Sequence, residues 1–393
     1  MITQAVVLVG GLGTRLGELT KETPKPLLEV GGRPFLHWLL LELRRHGITD
    51  ILLLAGFRAD RLDRISEAFP EVRVIVEPEP LGTGGALRHA AEHLDPRFFF
   101  LNGDSFFDIN LWDLALGSKD AVGVLALRPV EDVSRYGPAT LEGDLIRRFA
   151  ERPETDGPGL INGGVAVLSR TILDHLAAEQ GPVSIEREVY PRLAEQGLLG
   201  GRIYERPFID IGVPEDFARA QDFVPNTMHR GAVVFDRDGL FDHEVNDAHR
   251  PDQIEWAEGA VAAIKEVNDA GLFAFVTINQ AGKARGYDEG AVTTLHAWIN
   301  AELKARGAHI DSYAYSSHHP EAYRGASHDH GLDPGTILDL VTQFPVVRER
   351  TAMIGDRPSD VAAAEAAGII GLLFERGDLS VFLRPWITRL AAG

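Results

Sequence analysis

The sequence predicts an α/β protein of two successive domains, and three observations predict it. Short apolar strands alternate with segments of helical spacing through the first half, which implies βαβ units and a parallel sheet. A glycine-rich turn follows the first strand, and such sheets bind ligands at the carboxyl ends of their strands. At Gly231 a new apolar strand begins, Gly231-Ala232-Val233-Val234-Phe235, closed by Asp236. A chain of 393 residues agrees with two or three domains. The expected boundaries are a first domain over 1–223, a linker over 224–229 and a second domain over 230–393.

In chain order, Ala5 to Val9 reads as a short buried strand. Gly10, Gly11, Gly13 and Thr14 follow, then Arg15, then Pro24-Lys25-Pro26-Leu27. Glycine lets the backbone approach a ligand, and successive N–H groups in such a turn suit phosphate oxygens. Arg15 and Lys25 add cationic donors beside them. Taken alone, Gly-Gly-x-Gly is equally a tight turn between strand and helix. It has neither the Walker nor the dinucleotide spacing. Leu36, Leu39, Leu40 and Leu43 space a helix that stops at Gly47, and strands follow at Asp50–Ala55 and Val72–Val76. Glu77-Pro78-Glu79-Pro80-Leu81-Gly82-Thr83-Gly84-Gly85-Ala86 comes next, again after a strand and opening a helix. A fourth strand, Phe98 to Leu101, ends on Asn102-Gly103-Asp104. An aspartate there is either a helix cap or a functional carboxylate.

Composition narrows the function. A net charge of −19 argues against nucleic acid or an anionic membrane surface as the main partner. It leaves anionic sugar phosphates open, because basic residues and Mg²⁺ can reverse the sign locally. The absence of cysteine rules out disulfides and thiolate chemistry and fits a cytoplasmic location. No signal pattern and no membrane-length apolar run is evident, so no membrane insertion is expected.

The glycine loop with Pro24-Lys25-Pro26-Leu27, and the Gly31-Gly32-Arg33-Pro34 that follows, resembles the signature of the sugar-1-phosphate nucleotidyltransferases. The resemblance runs from about Met1 to Phe223 and implies a Rossmann-like (GT-A-like) domain. It implies that Gly10, Gly11, Gly13, Thr14, Glu77, Gly82, Thr83 and Gly84 bind nucleotide. Arg15 would hold the triphosphate and Lys25 would bridge the nucleotide and sugar phosphates. Asp104 and Asp210, the latter from Phe208-Ile209-Asp210-Ile211-Gly212, would hold Mg²⁺, while Glu215 and Asp216 would start a helix. Arg135-Tyr136-Gly137 and Glu151-Arg152 resemble weaker family segments. Asn162 and Gly163 would face the sugar, and Glu186 would accept hydrogen bonds from its hydroxyls. The wording around Gly82 looks most like the subgroup that makes GDP-heptose. The implied substrates are GTP and D-glycero-α-D-manno-heptose 1-phosphate, with uridylyl or other nucleotidyl transfer to a different sugar 1-phosphate as the alternative. A homo-oligomer is compatible with either.

Asp236-Arg237-Asp238-Gly239 after an apolar strand resembles the opening motif of the haloacid dehalogenase (HAD) phosphatases. The family's roles would make Asp236 the nucleophile and Asp238 the proton shuttle, both beside Mg²⁺. Met353-Ile354-Gly355-Asp356-Arg357-Pro358-Ser359-Asp360 supplies the matching Gly-Asp-x-x-x-Asp, with Asp356 on Mg²⁺. Asn279-Gln280-Ala281-Gly282-Lys283-Ala284-Arg285-Gly286 resembles the histidinol-phosphate and heptose-bisphosphate phosphatases, so the implied fold is a HAD-like Rossmannoid domain. Three departures stand out. Ile278 occupies the position of the phosphate-binding threonine, with Thr277 one step away on the other face of the strand. No lysine precedes Pro334-Gly335, and Lys265, Lys283 and Lys304 are the remaining candidates in this half. The zinc-loop cysteines are gone, and His318, His319, His328 and His330 stand in their region. Either His318, His328 and His330 hold Zn²⁺ in place of thiolates, or the loop is a solvated polar one. The second half is accordingly an active phosphatase or a non-catalytic binding or oligomerisation module.

Overall fold

The structure is a computed structural model and describes residues 1–11, 13–134, 136–150, 156–176, 181–237, 240, 255–278, 289–315 and 334–392. Two compact units divide it, Ile2–Thr227 and Met228–Gly393, the latter joined by Met1. Both are α/β.

The strands of the first unit are β1 Gln4–Leu8, β2 Glu29–Val30, β3 Arg33–Pro34, β4 Asp50–Ala55, β5 Val72–Val76, β6 Arg97–Asn102, β7 Ser105–Phe107, β8 Gly123–Val130, β9 Pro138–Glu142, β10 Leu145–Phe149, β11 Gly159–Ser169, β12 Leu199–Ile203 and β13 Phe208–Asp210. Nine form one sheet in the order β5-β4-β1-β6-β11-β8-β12-β10-β9. The parallel sheet expected from the sequence is correct for β5-β4-β1-β6; beyond it the sheet is mixed, with β11 antiparallel to β6 and β8 and β12 parallel to β8. Beyond β6 the tight turn Glu142–Leu145 joins β9 and β10 as an antiparallel hairpin. Alternate residues of β1, β4 and β6 (Val6, Leu52, Leu54, Phe98 and Phe100) pack into one core with Tyr190 and Leu193.

In the parallel part the chain runs outward from β1 through β4 to β5, then crosses back to β6 on the other side of β1. That reversal opens a crevice between the carboxyl ends of β1 and β6. The glycine loop leaves β1 there, and Gly103-Asp104 leaves β6 there.

The second unit contains β14 Arg230–Asp236, β15 Phe273–Ile278, β16 Ser312–Tyr315, β17 Val346–Gly355 and β18 Ile370–Leu373, in the order β16-β15-β14-β17-β18. Every pair among these five is parallel. Val233 and Phe235 enter one core while Ala232 and Val234 enter another, so both faces are covered. The reversal of strand order falls between β14 and β17, which end on Asp236 and Gly355.

The linker expected at 224–229 is a correction: the helix Pro214–Met228 runs through it, and β14 begins at Arg230. Pro225 lacks an N–H and normally interrupts a helix. Here its ring packs over Gly31 in the β2–β3 turn, where a side chain would come within 2.2 Å of Pro225 Cγ. Gln221 Nε2 donates to the Glu29 carbonyl at 3.0 Å, and Val224 and Met228 are buried. Tertiary docking outweighs the lost backbone bond.

Candidate active site

The first crevice holds a cavity of about 300 Å³. Gly11, Gly13, Thr14 and Arg15 line it from the β1 loop, and Lys25 and Pro26 from the short helix Lys25–Leu27. Thr83 and Glu186 close another side, and Asn102, Gly103, Asp104 and Gly212 lie at its base. Gly13 has φ +61°, and a Cβ there would stand 2.9 Å from Thr20 Cγ2 and 3.2 Å from Lys25 Cβ. Only glycine therefore lets the loop close against the lysine stem.

Asp104 and Asp210 are 106 positions apart in sequence and meet because β7 pairs antiparallel with β13, with Asp210 opposite Ser105. The Ile211 N–H donates to the Asp104 carbonyl at 3.0 Å and locks the junction. Lys25 is buried, and its Nζ donates to Asp104 Oδ2 at 2.6 Å and to Asp210 Oδ1 at 3.4 Å. Burial and the charge of Asp104 push Asp210 up, while Lys25 pulls it down. A Cβ on Gly212 would stand 2.9 Å from Asp210 Oδ1, 3.2 Å from Lys25 Nζ and 3.4 Å from Arg15 Nη2. Both cations and a carboxylate thus converge on one point. Arg15 is exposed and, among the described residues, makes no ion pair, which leaves its guanidinium to an incoming anion.

Glu186 lies in the π-helical turn Ile185–Val189. Its Oε2 accepts from Thr83 Oγ1 at 2.9 Å and Ser184 Oγ at 3.3 Å, and burial raises its pKa against those bonds. The remaining expected residues are not among those that line this cavity. A Cβ on Gly10 would meet Glu77 Oε1 at 2.9 Å, and Glu77 Oε2 accepts from the Leu81 N–H at 3.2 Å, with burial raising the Glu77 pKa. A Cβ on Gly82 would meet the Val183 carbonyl oxygen at 2.5 Å, and one on Gly84 would meet Leu176 Cδ2 at 2.7 Å and Val183 Cγ1 at 3.1 Å. Asn162 Oδ1 accepts from the Gly164 N–H at 3.1 Å, and Gly163 faces the Phe107 ring. Asn102, Gly103 and Gly212 were not among the expected residues. Their signal was present, since each flanks an aspartate at a strand end. Leu12, Arg135, Glu151 and Arg152 lie outside the described residues.

In the second unit Asp236, Asp356 and Asp360 each bring a carboxylate oxygen within 4.8 Å of the others. Asp360, the closing aspartate of Gly-Asp-x-x-x-Asp, joins the cluster although the resemblance assigns the metal to Asp356 alone within that motif. It is buried on the helix Pro358–Ala366, and its Oδ2 accepts from the Arg357 N–H at 3.2 Å. A Cβ on Gly355 would lie 2.3 Å from Asp360 Cβ, so the close approach requires glycine. The space beside Asp236 and Asp356 is about 10 Å³, roofed by Leu240, Phe374 and Leu379. Thr277 is fully buried and donates to the Phe235 carbonyl at 3.3 Å. Lys265 pairs with Asp269 at 2.5 Å, and burial lowers Lys304 to about 8. Neither lysine lines that space. Asp238, Asn279, Lys283, His318, His319, His328 and His330 lie outside the described residues.

A crevice with converging Arg, Lys and paired carboxylates defines a phosphoryl-transfer class of site. Residues 4–227 match the nucleotidyl transferase family model, and the chain belongs to that family. Residues 317–381 match a HAD-hydrolase-like model. Over 224 residues the chain is 36% identical to D-glycero-alpha-D-manno-heptose 1-phosphate guanylyltransferase of Campylobacter jejuni, covering 54% of this chain and 96% of that protein. The second half is similar to D-glycero-beta-D-manno-heptose-1,7-bisphosphate 7-phosphatase of Rhodopseudomonas palustris, 41% identical over 160 residues, covering 39% of this chain and 89% of that one. Among solved structures, HddC from Yersinia pseudotuberculosis aligns with TM-score 0.51 and 30% identity, over 56% of this chain and 99% of HddC. The chain is a nucleotidyltransferase with a HAD-like C-terminal region. No described helix is long and apolar enough to cross a membrane.

Proposed function

We propose that the first unit transfers a guanylyl group from GTP to D-glycero-α-D-manno-heptose 1-phosphate. The carrying observation is the convergence of Lys25, Arg15, Asp104 and Asp210 at Gly212 in a cavity that Glu186 also lines. The name of the Campylobacter jejuni relative supports the choice of base and sugar. A phosphate oxygen of the sugar phosphate attacks the α-phosphorus of GTP, the bond to the β-phosphate breaks, and pyrophosphate leaves. Lys25 and Arg15 hold the phosphates and offset the charge that spreads over them in the transition state. The hard oxygen pair of Asp104 and Asp210, already aimed at one cationic nitrogen, suits Mg²⁺. When bound, the ion supplies charge neutralisation at the phosphate oxygens. We place this chemistry in the cytoplasm.

For the second unit we propose Mg²⁺-dependent hydrolysis of the 7-phosphate of a heptose 1,7-bisphosphate, supported by the Asp236, Asp356 and Asp360 cluster. Hydrolysis at O7 leaves C1 untouched. Only the α-1,7-bisphosphate therefore yields the α-1-phosphate proposed for the first unit, whereas the Rhodopseudomonas palustris relative is named for the β anomer. Thr277, sealed against the Phe235 carbonyl, favours a second reading in which this unit is a non-catalytic module. Phosphate release from both bisphosphate anomers by wild type and Asp236→Asn separates the two. Release by wild type alone supports the phosphatase, and release by neither supports the module. A panel of four NTPs against α-heptose, β-heptose and mannose 1-phosphates, read as pyrophosphate, tests the transferase. Preference for another base or sugar overturns the substrate assignment.

A further inference from the structure

We infer that Thr83 is a positioning residue for the sugar-side carboxylate Glu186 and not a contact to the nucleobase. The inference rests on the reading above in which Glu186 accepts hydrogen bonds from the sugar.

Thr83 belongs to the glycine run Gly82-Thr83-Gly84-Gly85 that opens the helix Gly82–His89. Gly82 has φ +73°, and a Cβ on it would stand 2.5 Å from the Val183 carbonyl oxygen. The Val183 N–H donates to the Leu81 carbonyl at 2.8 Å, and the Gly84 N–H donates to the Val183 carbonyl at 2.8 Å. The glycines are therefore needed to press this turn against the segment 183–186. At the same junction the Ile185 N–H donates to Thr83 Oγ1 at 2.8 Å. A hydroxyl has one proton, and here that proton points to Glu186 Oε2 at 2.9 Å. Ser184 Oγ approaches the same oxygen at 3.3 Å. Thr83 thus spends its donor inside the protein, and Glu186 Oε1 takes neither hydroxyl.

The wide turn Ile185–Val189 explains why the support is needed. A π-turn carries an extra residue and is frequent at functional sites. Ser184 caps it by accepting from the Arg187 N–H at 3.2 Å, and Glu188 Oε2 accepts from the Ser184 N–H at 2.7 Å. These bonds hold the backbone of the turn. The Glu186 carboxylate, three torsions further out, is fixed by Thr83. A motif expected to face the nucleotide is in this way tied to the residue expected to face the sugar.

The test uses the full chain with GTP, α-heptose 1-phosphate and Mg²⁺. Thr83→Val keeps the shape and removes the hydroxyl, Thr83→Ser keeps the hydroxyl, and Glu186→Gln removes the charge. Thr83→Val is expected to raise KM for the sugar phosphate roughly tenfold, to leave KM for GTP within about twofold, and to be rescued by Thr83→Ser. In a Glu186→Gln background Thr83→Val should add little, because the two act as a unit. A rise in KM for GTP, an unchanged KM for the sugar phosphate, or full additivity with Glu186→Gln overturns the role of Thr83. If Glu186→Gln itself leaves the sugar KM unchanged, the reading of Glu186 fails and this inference falls with it. If wild type does not turn over this pair, the substrate assignment fails instead. Melting temperatures of all variants separate these outcomes from misfolding.

Discussion

Gly212→Ala places a methyl group where the site's charges meet. Its Cβ would lie 2.9 Å from Asp210 Oδ1, 3.2 Å from Lys25 Nζ and 3.4 Å from Arg15 Nη2. The first distance is shorter than real Cβ contacts allow, so the Asp210 carboxylate must withdraw by a few tenths of an ångström. All three neighbours are the ends of side chains, and Gly212 does not have a positive φ, so alanine is conformationally allowed. The backbone cost should be small, and restricting the unfolded chain offsets it by about 0.4–1 kcal/mol. Catalysis should suffer more. The methyl occupies space between the phosphate-binding cations, and a displacement of roughly 1 Å there costs about 10²-fold. We expect kcat for pyrophosphate release to fall roughly 10- to 100-fold, about 1.4–2.7 kcal/mol in the barrier, with the melting temperature held within a few degrees. Steady-state pyrophosphate release at saturating substrates and a thermal melt together read the effect. Wild-type kcat in Gly212→Ala would refute the placement of the reacting phosphates at this point.

Lys25→Met removes the ammonium that sits between Asp104 and Asp210, so the nucleotide-free protein should bind Mn²⁺ more tightly than wild type. Titration followed by electron paramagnetic resonance checks this, and unchanged or weaker binding would show that Lys25 does not compete for the carboxylates. Gly163→Ala would push a Cβ to 2.4 Å from Phe107 Cδ1 and 2.5 Å from Cε1, and overpacking of this kind costs about 1–3 kcal/mol in a urea titration. A loss below experimental error would mean that the Phe107 ring can move aside. His296 is buried and stacked on Tyr313 at 4.1 Å, and burial with the nearby Arg237 lowers it from 6.5 to about 4. The native state therefore binds fewer protons than the unfolded state between those values, and the second unit should lose stability as pH falls from 6.5 towards 4. Hydrogen exchange of the β15 and β16 amides at pH 7 and 5 should show the loss, and His296→Phe should reduce it. Equal losses in both proteins would assign the acid sensitivity to other groups.

Much of the first site is visible along the chain because its residues sit at strand ends. The glycine loop, Lys25 and Asp104 each follow a short apolar run or a proline punctuation, and local pattern suffices to find them. Asp210 needed family wording, because its partner is 106 positions away and only the β7–β13 pairing joins them. The packing of Gly82 and Gly84 is not legible in the sequence. Glycine marks a close approach without saying to what, and here the approach is to Val183 and, at Gly84, to Leu176. The same holds for Pro225: a residue that breaks isolated helices stays inside one when Gly31 makes room for its ring. The parallel sheet was overextended for the same reason, since strand direction beyond β6 depends on turns whose geometry the apolar pattern does not encode. In the second half the one-residue offset at Thr277 was legible, because side chains alternate along a strand. The structure places that hydroxyl against the Phe235 carbonyl.

Pyrophosphate release from GTP and D-glycero-α-D-manno-heptose 1-phosphate with Mg²⁺, compared between wild type, Lys25→Met and Asp104→Asn, bears most directly on nucleotidyl transfer at the Lys25–Asp104–Asp210 cluster. Wild type should form one GDP-heptose per pyrophosphate, and each variant should fall by about 10²-fold or more while circular dichroism at the assay temperature shows the fold retained. Wild-type rates in either variant, or pyrophosphate without sugar nucleotide, would contradict it.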